Sequence, residues 1–369
     1  TGNTIVFGPI NTWHTGEVEY HFELDFDPNT AGRLIVAYKG NNAYGSVSLA
    51  TLGSGTGTSA ELHFSYGYQY FKQSNSTRVR VAFDRVNTGK FVIIWRDDGG
   101  SNYGKAIAGS VTGTTITTGS DMFFNSGNTH YPELAFDPNN GDKLVIVYRD
   151  TGESYNGKAI VGTVNGTTIS VGSSEEFNPG WTNYPSIAFD PNNAGKFVIA
   201  YQDVGNSDRG TAIVGTVSGT SITFGAEYVF QSLGIYDCDI AFDPNNSGKF
   251  VIAYAGSSDS IQDNGLAIVG TVSGTSITFG SSTYFISANS TYYINIAFDP
   301  NTAGKFVIAW RFYTPSTYYY GRMIAGSVSG TSITFGGLLS FQLNLVSYIT
   351  LAFDPNNAGQ FVIAYKDHT

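Results

Sequence analysis

A recurring aspartate is the residue in this sequence whose type and spacing first suggest chemistry. It stands in the motif FDP, or FDR in one copy, at intervals of 53 to 57 residues. Carboxylates ligate metals and act as general acids or bases. In most copies, however, the aspartate is the first residue of an Asp-Pro-Asn-Asn segment. Such segments are typical of turns in which the aspartate accepts a backbone hydrogen bond. We therefore assign a structural role to the seven copies, which are Asp27, Asp84, Asp137, Asp190, Asp243, Asp299 and Asp354.

Other carboxylates lie in loops whose sequences do not repeat. Asp203 and Asp208 stand close together in a glycine-containing loop. They are weak metal candidates, because calcium takes about six to eight oxygen ligands and such a loop supplies few carboxylates. Glu175 and Glu176 are adjacent acids, but nothing marks them as a glycosidase pair. Without a G-x-S-x-G motif or a phosphate-binding glycine loop, we predict no catalytic residue, no cofactor and no metal.

The elements that position these loops can be seen in residues 186–225. SIAFD alternates apolar and small residues, KFVIAY is almost continuously apolar, GTAIVGTVSG is small and β-branched, and TSITFG alternates again. These patterns indicate four strands, of which the second is covered on both faces. Four strands in every 53 to 57 residues are typical of propeller blades. The sequence therefore predicts an all-β, seven-bladed β-propeller with four-stranded antiparallel blades.

The two ends of the chain depart from this repeat. Residues 1–8, TGNTIVFG, match the outer strand TSITFG without the three strands that precede it. We predict that this strand joins the last blade and closes the ring. The last repeat starts near Tyr348 and contains counterparts of the first two strands only. We expect one propeller domain over residues 1–369, and the absent third strand suggests a piece of a longer chain.

The composition argues against several classes of partner. The 369 residues carry a formal net charge of −10, and 13% of them are charged. No basic patch is present, so nucleic acid and anionic membranes are disfavoured, and no apolar run is long enough to predict membrane insertion. Cys238 stands alone, so no disulfide framework is expected. A polar, weakly charged β protein of this kind is typical of a virion surface or an extracellular setting.

The connections between strands differ in how strongly they repeat. DPNNAGK turns and VSGTS hairpins recur almost unchanged on one face, the constant face, whereas the connections on the opposite, variable face differ between repeats. Variable loops on a rigid scaffold predict the binding face, and aromatic residues there suit sugars or protein partners. Tyrosines four residues before the AFD alanine recur, which favours packing between blades. The binding candidates are Trp13, Tyr70, His130, Trp181, Tyr236, Tyr292, Tyr318 and Tyr319.

The repeat strings also carry a resemblance. AFDPNNAGKFVIAYQD and GTAIVGTVSGTSITFG resemble tandem repeats in structural and tail-fibre-like proteins of marine, often cyanobacterial, bacteriophages. The resemblance covers Asp25 to Asp367 and is strongest from Ala135 to Gly336. It implies a virion surface component or a receptor-binding module, and it implies no catalytic residues.

Three functions follow from these observations. The first is a non-enzymatic binding module, on a phage particle or extracellular, that recognises a cell-surface glycan or a protein receptor. The second is a structural spacer or decoration of a virion, with other virion proteins as partners. The third is a glycan-active enzyme. Because the variable loops differ from blade to blade, we predict one composite binding surface instead of one sugar site per blade.

Overall fold

A computed structural model describes most of the chain and is all-β. It describes residues 10, 12, 21–40, 43–53, 62–64, 68–257, 263–287, 290–314 and 317–368, without the side chains of residues 257, 263, 314, 317 and 318. Within these ranges there is no α-helix, and no helix that could span a membrane. Residues 1–8 and Trp13 lie outside the described residues, so ring closure by an N-terminal strand stays a prediction.

The strands form seven repeats, each beginning with the strand that leads into an FDP or FDR turn. Repeat 1 contains β1 (Glu23–Phe26), β2 (Arg33–Lys39), β3 (Tyr44–Leu52) and β4 (Leu62–Phe64). Repeat 2 begins within β5 (Gln69–Phe83) and contains β6 (Lys90–Asp97), β7 (Tyr103–Thr112) and β8 (Thr115–Thr118). Repeat 3 begins within β9 (Met122–Phe136) and contains β10 (Lys143–Asp150), β11 (Asn156–Asn165) and β12 (Thr168–Asn178).

The remaining repeats follow the same order. Repeat 4 contains β13 (Thr182–Phe189), β14 (Lys196–Asp203), a short 3-10 turn (Val204–Asn206) and β15 (Arg209–Ser218). Repeat 5 begins within β16 (Ser221–Phe242) and contains β17 (Lys249–Ser257), β18 (Asp263–Ser273), β19 (Ser276–Phe279) and β20 (Thr283–Ile286). Repeat 6 contains β21 (Ser290–Phe298), β22 (Lys305–Thr314), β23 (Thr317–Ser329), β24 (Ser332–Phe335) and β25 (Leu339–Gln342). Repeat 7 contains β26 (Val346–Phe353) and β27 (Phe361–Asp367).

Each repeat is an antiparallel meander, as the strand patterns predict. In repeat 4, β13 pairs with β14, β14 with β15, and β15 with the first part of β16. From Ile235 onward, β16 leaves β15 and pairs with β17, so one long strand is outermost in one repeat and innermost in the next. β5 and β9 change partners in the same way. Repeat 7 is a two-stranded sheet within the described residues, which agrees with the absent third strand.

The core consists of apolar clusters between consecutive repeats. Alternate residues of β14 point to opposite sides: Val198 packs toward repeat 5, and Ile199 packs toward repeat 3. Val362 of repeat 7 packs in the same way against Leu34 of repeat 1. This arrangement follows from second strands that are apolar on both faces. The first and last repeats therefore contact each other as neighbouring repeats do.

The constant-face turns confirm the structural role of the seven aspartates. In every turn Oδ1 accepts the backbone N–H two residues on, at 2.8 to 3.0 Å. The turns also join their neighbours: Asn192 Nδ2 donates to the Pro244 carbonyl oxygen at 3.3 Å. The equivalent bond from Asn356 to Pro28 measures 3.2 Å, and Asp354 Oδ2 accepts the N–H of Gly32 at 3.0 Å. The last turn is thus fastened to the first.

Two departures from the repeat compensate each other. Arg85 stands where the other turns have proline, and Asp25 stands where the other inner strands have alanine. Arg85 Nη2 lies 2.9 Å from each carboxylate oxygen of Asp25, which also accepts the N–H of Phe83 at 2.8 Å. A charged partner and a backbone donor make the buried Asp25 carboxylate tolerable. The turn of repeat 2 therefore has Arg85 in place of proline, because this turn packs against Asp25.

We expect Gly215→Ala to destabilise the protein. An added Cβ would lie 2.1 Å from the Phe197 ring, which is fully buried. Overpacking of this kind costs about 1–3 kcal/mol of unfolding free energy, measurable by denaturant titration. Gly337→Ala is the control, because its added Cβ would meet nothing within 4 Å. Equal stability of the two variants would contradict this account of the glycine.

We expect Asp354→Ala to be more damaging than Asp243→Ala. Both variants lose the bond from the N–H two residues on and a bond from the asparagine side chain three residues on, but only Asp354 also accepts the N–H of Gly32 from another repeat among the described residues. The difference in unfolding free energy should be about 1–3 kcal/mol, because the acceptor is charged and the bond is buried. Indistinguishable unfolding curves would show that this bond does not help to hold repeat 7 to repeat 1.

Candidate functional site

The inner strands of the seven repeats surround a cavity of about 310 Å³. This volume is at the lower end of small-molecule sites, which span roughly 300–1,000 Å³. Two positions of each inner strand supply most of its wall. The deep layer, four residues before each FDP or FDR aspartate, is Glu23, Arg80, Glu133, Ser186, Asp239, Asn295 and Thr350. The rim layer, six residues before it, is His21, Arg78, Tyr131, Tyr184, Asp237, Tyr293 and Tyr348, and all but Arg78 line the cavity.

The rim layer lies toward the variable face and has an unusual backbone. Inner strands run toward the constant-face turns, so residues further from the aspartate are nearer the variable connections. Six rim residues have φ between 47° and 56°, the left-handed region that costs a non-glycine residue about 1–2 kcal/mol. A β-bulge accompanies this, as between Asn183 and Ser186. Strain repeated at one position indicates that the orientation of these side chains matters.

The recurring tyrosines both pack between repeats and line the cavity. The rings of Tyr131 and Tyr184 are 4.9 Å apart, and those of Tyr293 and Tyr348 are 5.0 Å apart. His21 continues this belt at 4.8 Å from Tyr348. The sequence interpretation of packing between blades therefore describes only part of their role.

The deep layer is a network of polar contacts. Arg80 Nε lies 2.6 Å from Glu133 Oε1 and 3.2 Å from Glu23 Oε2. The carboxylate of Asp239 accepts hydrogen bonds from Ser186 Oγ at 2.7 Å and Asn295 Nδ2 at 3.1 Å. The hydroxyl of the buried Thr350 has no partner among the described residues. Such a hydroxyl can hydrogen-bond to a water or a ligand in the cavity.

Burial shifts the protonation of the cavity acids. It raises the pKa of Glu133 to about 7, against the opposing charge of Arg80. It also raises the pKa of Asp237 to about 7, although Ile294 N–H donates to this carboxylate at 3.1 Å. The pKa values of Glu23 and Asp239 are raised for the same reason. The charge of the cavity wall therefore changes near neutral pH.

Aromatic and guanidinium groups surround the mouth of the cavity. The guanidinium carbon of Arg311 lies 4.8 Å from the ring centre of Tyr292 and 4.5 Å from that of Tyr319. On another side, the rings of Trp181 and Tyr155 stack with centres 4.8 Å apart and planes at 22°. Asn183 lies beside Trp181, and its Oδ1 accepts the indole N–H at 3.2 Å.

The structure brings five of the eight binding candidates to this region. Tyr236 and Tyr292 line the cavity, Tyr319 contacts Arg311, and His130 and Trp181 adjoin the rim. Tyr70 lies apart on the outer half of β5, where it contacts Tyr44 and Tyr68. Trp13 and the side chain of Tyr318 lie outside the described residues.

The metal candidates lie at the end of β14 and in the turn that follows it. Asp203, the last residue of β14, is buried and accepts a hydrogen bond from Asn178 Nδ2 of β12 at 3.4 Å, so it joins two repeats. Asp208 has a left-handed backbone with φ of 60°. In the part of the chain that the structure describes, no three His, Cys, Asp or Glu side chains converge as metal ligands would.

Sequence reasoning missed the polar residues of the two cavity layers. Aligning the inner strands on the FDP aspartate would have revealed them. The deep position carries a polar side chain in all seven repeats, whereas the residues on either side of it are mostly apolar. A position that is polar in every repeat, within otherwise buried strands, indicates a cavity or a buried hydrogen-bond network.

We expect the Asp237 carboxyl to make stability depend on pH. Its folded-state pKa of about 7 exceeds the unfolded value of 3.8, so the folded state binds more protons between these values. The stability that this carboxyl group contributes is fully present below pH 4 and is lost as the pH rises through 7. Asp237→Asn should therefore gain stability relative to the wild type from pH 5 to 8 in denaturant titrations. A difference in unfolding free energy that stays constant over this pH range would contradict this.

Comparisons with known proteins bear on the fold. No protein-family model and no curated protein sequence matches this chain. Among solved structures it is similar to the BP39L lectin of Burkholderia pseudomallei, with TM-score 0.66 and 8% identity over 95% of this chain and 94% of the lectin. A candidate 6-phosphogluconolactonase of Bacteroides fragilis has TM-score 0.61 and 10% identity over 87% and 84%. Sqt1 of Chaetomium thermophilum has TM-score 0.55 and 14% identity over 95% and 77%. At these identities the likeness concerns the fold, which is all-β and propeller-like.

Proposed function

We propose that this chain is a non-enzymatic glycan-binding module that holds its ligand at the mouth of the cavity, on the variable face. In this proposal the fold is a seven-bladed propeller with four-stranded blades, and residues 1–8 supply the outer strand of the last blade. The setting is a virion surface or the outside of a cell, as composition and the phage resemblance suggest. The partner is a cell-surface glycan, with a protein receptor as the alternative.

The observation that carries the proposal is the exposed pair of Trp181 and Tyr155. These side chains are 45% and 41% exposed, and their rings are stacked. Exposed aromatic faces suit the apolar side of a sugar ring. Asn183 holds Trp181 in place and donates from Nδ2 to Gln202 Oε1 at 2.7 Å. A surface that is already ordered loses little entropy on binding.

Two further facts support the glycan class. A lectin is among the structures with a similar fold, although 8% identity carries over no sugar-binding residue. The side chains around the mouth also differ from repeat to repeat, while the backbone repeats. Such a mouth favours one composite site for one extended ligand, as the variable loops predict.

A glycan-active enzyme is the second candidate. Glu133 and Asp237 both line the cavity, and burial raises each pKa to about 7. Carboxyl groups whose pKa lies near neutral pH are suited to general acid–base catalysis. Structural ion pairs produce similar shifts, and Glu133 belongs to one with Arg80.

A glycan array with the wild type and two variants tests the proposal. Trp181→Ala should weaken binding by about 1–3 kcal/mol, because the stacking surface is lost. Tyr284→Ala is the matched control, since this tyrosine is 50% exposed but lies on β20, an outer strand. Binding that Trp181→Ala leaves intact would place the site elsewhere. Release of reducing sugar from a bound glycan would favour the enzyme, and no bound glycan would favour a structural spacer.

A further inference from the structure

Two arginines lie over the ring of Tyr131 at the rim of the cavity. The guanidinium carbon of Arg78 lies 4.5 Å from the ring centre, and that of Arg149 lies 4.8 Å from it. Arg78 and Tyr131 occupy the rim layer of repeats 2 and 3, with φ of 52° and 49°. Their strained backbones therefore contribute to holding the cationic groups around one aromatic ring.

A third arginine adds to this positive field. Arg96 Nη1 lies 3.1 Å from His130 Nε2, and Arg96 Nε lies 2.5 Å from Asp98 Oδ1. Burial and the charges of all three arginines lower the pKa of His130 to about 3, so its imidazole is neutral at pH 7. Of these three guanidinium groups, only that of Arg96 has a carboxylate partner, Asp98, among the described residues.

Hydrogen-bonding capacity at these arginines is unused. Arg149 is 7% exposed, and its Nη1 donates to Asn183 Oδ1, but its Nε has no partner among the described residues. Arg78 forms neither a hydrogen bond nor an ion pair within the described ranges. A guanidinium group removed from water without an anionic partner is unfavourable, and its planar donors match a carboxylate or sulfate.

Several other arginines of the fold have acidic partners, whereas Arg311 at the cavity mouth forms no ion pair among the described residues. Arg80, two residues after Arg78, pairs with Glu133 and Glu23. Arg33 pairs with Asp27, and Arg85 pairs with Asp25. Arg78 and Arg149 therefore differ from these three arginines, and they share the absence of an acid with Arg311 on another side of the mouth.

We propose that Arg78 and Arg149 form a subsite for an oxyanion carried by a saccharide, either a sugar carboxylate or a sulfate ester. This inference rests on the proposed glycan-binding function and names its ligand class as acidic glycans. The aromatic pair adjoins the subsite: Arg149 lies 5.5 Å from the ring centre of Tyr155, and Arg149 and Trp181 both donate to Asn183 Oδ1. One sugar unit can stack on the aromatic pair while its anionic group reaches the arginines.

The test compares acidic and neutral glycans on the wild type, Arg78→Gln and Arg149→Gln. The array carries carboxylated, sulfated and neutral glycans, which separates the two sources of the oxyanion. We expect the bound glycans to be acidic, and their affinity to fall at least about tenfold in either variant and with rising salt. Arg209→Gln is the control, an arginine of the variable face with no acidic partner among the described residues, and it should bind within about twofold of the wild type.

The outcomes separate the two proposals. Wild-type binding to neutral glycans only, or acidic binding that survives both substitutions, would overturn the oxyanion subsite and leave glycan binding intact. If no glycan binds, the proposed function fails, and titration with glucuronate and inorganic sulfate still decides the subsite. Tenfold weaker binding in Arg78→Gln than in Arg209→Gln supports it, and equal binding rejects it. Thermal unfolding shows whether either variant has lost its fold. If Arg149→Gln has, the test uses Arg78→Gln alone, because Arg78 is only half-buried.

Discussion

The second strand of each repeat is apolar on both faces, and this double burial is the constraint on which the structure depends. One face of β14 packs toward repeat 3 and the other toward repeat 5, so a repeat on its own would leave one apolar face in water. Burial of apolar surface is the main favourable term in folding, at roughly 25 cal/mol per Å². Every repeat therefore needs a neighbour on each side. All seven repeats have two neighbours when repeat 7 packs against repeat 1, as Val362 packs against Leu34.

The cavity is a consequence of the same constraint. When the sheets pack face to face and repeat 7 also packs on repeat 1, their innermost strands converge around the cavity. Side chains at the deep and rim positions are thereby released from the apolar packing that governs β14. They can be charged, as Glu133 and Asp239 are, provided that partners such as Arg80 and Ser186 satisfy them. The scaffold is thus repetitive, and the cavity wall is not.

Strand order and turn chemistry could be predicted from the sequence because they depend on local pattern. The period of the aspartates, the alternation in SIAFD and the apolar run KFVIAY each reflect one strand or one turn. The rim could not be predicted, because a bulge changes which way its side chains point. Pro185 marks the bulge at Tyr184, but no glycine or proline marks the equivalent bulges at Tyr293 and Tyr348. The pairing of Asp25 with Arg85 also escaped prediction, since it joins two different repeats. Tyr70 looked like its fellow candidates in the sequence, but its position on the outer half of β5 separates it from the rim.

The cavity is also asymmetric along its length, which bears on how a ligand would lie in it. The rim carries arginines without acidic partners beside aromatic rings, whereas the deep layer carries Glu23, Glu133 and Asp239 with Arg80 among them. As the pH rises through 7, Glu133 of the deep layer loses its proton and repels an anion more strongly, while the guanidinium groups of the rim stay charged. An acidic saccharide is therefore expected to keep its charged group at the rim and to direct hydroxyl groups toward Thr350 and Asn295. Hydroxyl groups can both donate and accept, so they suit a wall whose protonation changes near neutral pH.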